Sequence, residues 1–195
     1  MKDKKTVTRK KIVDAGFAIL LNGGKLDIQG VAKAAGVAVP TIYHYFDGLS
    51  ALEDEVHFEA FKGRLPEDVD EMCEALRQDD PWPNIRELLT SFMGPERDTA
   101  RQLRFIALGA YPSRPDVAAK IRELQQSMIE KAAGALVRWH GREAYDVAVA
   151  TLSIQAGSPI AIANPSERER QAFVDLSLSV LVPSASFIDL VRKRV

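Results

Sequence analysis

Apolar residues recur at helical spacing along almost the whole chain, and nowhere do they alternate with polar ones long enough to make a strand. That single periodicity confines the 195 residues to an all-α fold. With 46% hydrophobic and 27% charged residues there is ample material for a core and none of the signature of disorder. No apolar stretch reaches the roughly 18 residues of a membrane span, so no membrane partner is expected. Residues 1–11 are basic but lead into an amphipathic pattern rather than an apolar signal core. The one cysteine, Cys73, rules out an intrachain disulfide and fits a cytoplasmic location.

Punctuation divides the chain into helices. The first reads from about Thr8 to Leu21 and stops at Asn22-Gly23-Gly24, where left-handed backbone is cheap. Asp27 caps a short helix that ends at Gly36, and a second short helix runs to Phe46 before the Asp47-Gly48 turn. Longer helices follow over about 49–62, 66–78, 81–93, 96–110, 116–139, 143–163 and 166–182. Two short helices about a central glycine are the sequence form of a helix-turn-helix. We therefore expect a head over residues 1–47 and a larger helical body over 48–195.

Charge supports a polyanion partner for the head. Residues 1–50 carry eight bases against four acids, whereas 51–80 carry three against eleven, and the whole chain nets −1. A basic segment on a near-neutral protein concentrates nucleic acid by counterion release. The second short helix adds the chemistry. Ile42 and Phe46 share one face and should pack inward, which leaves Val39, Pro40, Tyr43 and His44 outward, with Thr41 at the edge. Three successive aromatic residues, Tyr43, His44 and Tyr45, cannot all face one core on a helix. Hydroxyl, imidazole and apolar groups suit base edges, phosphates and thymine methyls in a major groove.

The pattern Val31-Ala32, Ala35-Gly36-Val37, Thr41-Ile42-Tyr43 and Tyr45-Phe46 resembles the DNA-binding head of the tetracycline-repressor (TetR) family of transcriptional regulators. The resemblance covers about the first 50 residues; beyond them only helix number and length agree. It implies a homodimer on a near-palindromic double-stranded operator, usually a repressor released when a small molecule binds the body. It places Thr41, Tyr43 and His44 at DNA contacts, Val39 and Pro40 near base edges, and Gln29 and Lys33 within reach of the backbone. Two positions depart from the pattern. Ala38 stands where a capping Ser is usual, and Leu49 where a Lys is usual. They leave room for an alternative, an all-α ligand-binding or interaction protein without operator binding.

For the body, Phe92, Phe105, Tyr111, Met128, Trp139 and Gln155 are candidates to line a pocket for a small apolar or amphipathic effector. Helices apolar on two faces make Val147, Ile154, Phe173, Leu178 and Leu181 candidates for a dimer interface. No phosphate-binding glycine loop, cofactor motif or metal-ligand cluster stands out, and no catalytic residue is assigned. His44, His57 and His140 are scattered, and the acids around Cys73 should raise its pKa and keep the thiol unreactive.

Overall fold

A computed structural model describes residues 2–161 and 165–183, without the side chains of residues 2–4 and 158–161. Among the described residues all regular structure is helical: α1 (Lys2–Leu21), α2 (Ile28–Ala35), α3 (Val39–Tyr45), α4 (Leu49–Lys62), α5 (Leu65–Leu76), α6 (Trp82–Phe92), α7 (Asp98–Ala110), α8 (Pro115–His140), α9 (Ala144–Ala161) and α10 (Glu167–Leu181). Single 3-10 turns precede α7, α8 and α9. The all-α class and the helix-turn-helix head are as expected. The first helix differs: it begins near Lys2, one and a half turns before Thr8. Lys and Thr in this stretch carry no apolar periodicity, so the sequence reads equally well as helix or tail.

The chain divides into two compact units, Met1–Gly63 with Gln102–Arg122, and Arg64–Arg101 with Glu123–Val195. In the first, α1 packs on α2 and α4, and α2 on α3. Its core is Ile12, Val31, Ile42, Phe46, Leu52 and Val56. Gly16 is the point of closest approach: a Cβ built there lies 2.6 Å from a Val56 methyl, so α1 and α4 cross with no room for a side chain. This unit reaches past residue 47 and includes α4.

The second unit is built on α5, α6, α9, α10 and most of α8, around Met72, Leu76, Ile85, Leu89, Leu136, Val147, Val174 and Leu181. Trp139 on α8 donates its indole N–H to the Leu76 carbonyl at 2.9 Å and meets Trp82 edge to face. Arg101 closes the C-terminus of α6 by donating to the carbonyls of Phe92 and Gly94, while pairing with Asp98. Ser166 caps α10 reciprocally: Glu169 N–H donates to its hydroxyl, and its own N–H donates to the Glu169 carboxylate at 2.7 Å.

Four of the five residues expected at a dimer interface are spent inside this unit. Val147, Phe173, Leu178 and Leu181 are buried in its own core, and Ile154 is half-buried against it. The apolar second face of α10 inferred from the sequence therefore meets the same chain. What α10 leaves to solvent is Glu167, Arg168, Glu169, Gln171, Ala172, Asp175, Leu176 and Ser179, with Leu176 53% exposed.

Candidate nucleic-acid interface

The local chemistry of residues 27–46 explains why the two short helices stand as they do. Asp27 has extended backbone, and its carboxylate accepts the Gly30 N–H at 2.7 Å, starting α2. Gly36 has φ of 59°, a left-handed conformation that favours glycine, and its N–H donates back to the carbonyl of Lys33. The Val37 N–H also returns to Ala32, so the chain reverses tightly into α3. Val31, Ala32, Ala35, Ile42 and Phe46 fill the space between the helices and α1.

With Ile42 and Phe46 fixed inward, the rest of α3 turns to solvent. Pro40, Tyr43 and His44 are exposed, Tyr43 by 57%, and Val39 and Thr41 are half-buried at the edges. Tyr45 is half-buried against the core, and the His44 ring meets it edge to face with centroids 5.1 Å apart. That contact limits how the imidazole swings. Gln29 and Lys33 are exposed on α2. Every residue assigned to DNA from the sequence thus has at least part of its surface open, and all seven lie on the two helices of the motif.

Ala38 is the N-cap of α3 and offers no side-chain hydrogen bond. The loss is smaller than a missing cap ordinarily implies. Pro40 has no N–H to satisfy, and the Thr41 N–H already donates to the Ala38 carbonyl at 2.8 Å. Ala38→Ser should therefore raise stability by less than about 0.5 kcal/mol, under the usual ~1 kcal/mol of a restored cap. Urea unfolding of the two proteins measures the difference. A gain near 1 kcal/mol would mean that the first turn of α3 is not already satisfied.

Two arginines brace this unit, and the sequence offered no signal for either. Arg9 on α1 pairs with Glu55 on α4, and its guanidinium lies 5.4 Å from the centre of the Phe46 ring. Arg114 pairs with both Glu53 and Asp54 of α4. Asp54 is therefore engaged by Arg114, and His57, one turn on, is buried with its Nδ1 unpartnered. Burial and then the Arg114 charge hold the His57 pKa below its ordinary value, so the ring stays neutral. Leu49 begins α4 and is partly exposed, following Gly48 with its φ of 110°.

The pocket candidates are divided between the two units. Phe105, 53% exposed, and Tyr111, whose hydroxyl accepts from Arg122 at 3.0 Å, belong to the first unit. Phe92, Met128 and Trp139 are in the second unit, the first beneath the Arg97 guanidinium and the last held by Leu76. Gln155 lies on the wall of a cavity there, with Asp68, Met72, Cys73, Leu136 and Thr151. The Cys73 thiol has its pKa raised, as expected, but burial is the main cause and Asp70 a lesser one.

Neither a protein-family model nor a curated protein matches the sequence. Solved structures do. A TetR-family transcriptional regulator from Mesorhizobium loti superposes with a TM-score of 0.68 at 16% identity, over 90% of this chain and 97% of that one. A transcriptional regulator from Rhodococcus sp. gives 0.66 at 16%, over 89% and 95%. FadR from Bacillus subtilis, a transcriptional regulator crystallised with stearoyl-CoA, gives 0.57 at 18%, over 89% and 97%. The chain has the fold of the TetR-family transcriptional regulators, head and body together.

Proposed function

We propose that this protein is a DNA-binding transcriptional regulator, not an enzyme: a homodimer that holds a near-palindromic operator, acts as a repressor and is released by a small apolar or amphipathic effector. The observation that carries the reading is the solvent face of α3, where Pro40, Tyr43 and His44 stand open on a helix-turn-helix instead of the usual Lys and Glu. Gln29 and Lys33 on α2 flank it as phosphate contacts, with Val39 and Thr41 at its margins. The likeness to known regulators, one of them solved with an acyl-CoA, supports it. Among the described residues no helix is long and apolar enough to cross a membrane. For the dimer we assign the outer face of α10 around Leu176, with Ile154 on α9.

Selection of duplexes from a random pool tests it. Enrichment of an inverted repeat, with half-sites about one helical turn or slightly more apart, is the expected result. No enrichment at low salt would favour the second reading, a helical ligand-binding protein without an operator, to which Leu49 at the start of α4 lends some weight.

Leu49 also gives a quantitative expectation. A Lys there meets a phosphate that Leu does not, once per subunit. Leu49→Lys should tighten binding to operator and random duplex alike and steepen the log–log salt dependence by about 1.8, from about 0.9 per phosphate. Salt titrations on one duplex measure this. An unchanged slope would place residue 49 away from the backbone.

A further inference from the structure

A histidine lies in the core of the first unit with an idle ring nitrogen. His57, on α4, is 8% exposed, and its Nδ1 has neither solvent nor a hydrogen-bond partner. A neutral imidazole tolerates this, because its single N–H can sit on Nε2. The protonated ring does not. Nδ1 must then carry a hydrogen as well, and a buried donor without an acceptor is costly.

The helix decides where that hydrogen finds an acceptor. Residues three and four positions back share a face with His57, and these are Asp54 and Glu53. Both carboxylates are half-buried, and both already hold Arg114. They favour the charged ring, but burial and then the Arg114 charge outweigh them. Other elements bring further cations to α4: Arg9 of α1, engaged by Glu55; Arg104 of α7, which donates to the Phe61 carbonyl at 3.3 Å; and Lys120 of α8, near the Phe58 ring. Glu59, further along α4, is held by Lys62. Asp47 and Asp116 border an open groove beside Asp54 and Glu55, where both are exposed and screened by solvent.

We infer that His57 is a proton-operated latch: the neutral ring leaves Glu53 and Asp54 to Arg114, and the protonated ring claims a carboxylate and loosens the arginine that ties the start of α8 to α4. The proton comes from solvent. The unfolded chain binds it at about pH 6.5, the folded chain only at lower pH. The stabilisation is therefore complete above about 6.5 and is lost as pH falls below it. A weaker grip on duplex in acid follows only on the regulator reading; the latch does not depend on that reading.

Two measurements on the full-length protein test it. In the native protein the His57 ring signal, assigned through the backbone by NMR, should titrate below about 6.5, and the Arg114 Nε–H signal should shift along the same curve. Between pH 7.5 and 5.5 the native unfolding temperature should fall by at least about 2 °C more than that of His57→Gln, the shift that one lost hydrogen bond gives in a chain of this length. In Arg114→Gln the two carboxylates are free to meet the charged ring, so the fall should be smaller than in the native protein. A histidine that only fills space would lower stability on substitution at every pH alike. Equal falls in the native protein and either variant, or a His57 titration that leaves the Arg114 signal unmoved, would overturn the latch. No step uses DNA. A selected palindrome beside an unmoved Arg114 signal overturns the latch alone, and failed selection beside a moving one overturns the regulator alone.

Discussion

Thr41→Ala combined with Tyr43→Ala should weaken binding to the selected duplex by about 100-fold or more. Each base contact is worth about 1–3 kcal/mol, and a dimer loses each one twice. The unfolding temperature should move by no more than about 2 °C, because an exposed or edge position away from a cap or core contributes within about 0.5 kcal/mol. Ile42 and Phe46, not these two, hold α3 to the head. Fluorescence anisotropy on one duplex, beside thermal unfolding of the same preparations, checks both halves. Full binding by the double variant would turn the α3 face away from the DNA.

A second large effect separates two leucines only two positions apart. Leu178→Arg puts a guanidinium without a partner into the core of the second unit, where Leu178 is 7% exposed. The loss should be about 3–5 kcal/mol, enough to leave much of the protein unfolded or insoluble. Leu176→Arg faces solvent in the isolated subunit, so the helical circular-dichroism signal should persist while the proposed dimer falls to monomers on sedimentation. A folded Leu178→Arg protein would contradict the packing of α10. A dimeric Leu176→Arg protein would remove this face from the interface.

Those two leucines also mark where sequence reasoning ends. Periodicity located α10 and Ser166 marked its start, because capping chemistry is local. Periodicity also detected two apolar faces on α10 but not what covers them, since a helix buried on two sides by its own chain reads like one shared with a twin. The head was legible for the opposite reason. Asp27, Gly36 and the Asp47-Gly48 turn fix its two short helices within 22 residues, and Ile42 and Phe46 alone decide what α3 exposes. The cavity had no such local mark. Aromatic residues drew attention as the largest apolar groups, yet large rings fill space. The cavity is bordered mostly by aliphatic residues and alanines, brought together from residues 68–76, 132–136, 148–155 and 181. Arg9 and Arg114 escaped notice likewise, for an ion pair across 46 or 60 residues leaves no trace in spacing.

The first unit takes its residues from two separated stretches, 1–63 and 102–122, and this matters on the ribosome. Although α1 to α4 emerge first, Glu53 and Asp54 wait for Arg114, and Phe58 waits for Lys120, whose ammonium lies 5.8 Å from its ring centre. At about 5–20 residues per second, some 60 residues of further translation take roughly 3–12 s, during which the acidic edge of α4 lacks its arginine. The head is the first part of the protein to be made, yet the unit it belongs to is complete only once residue 122 has been added.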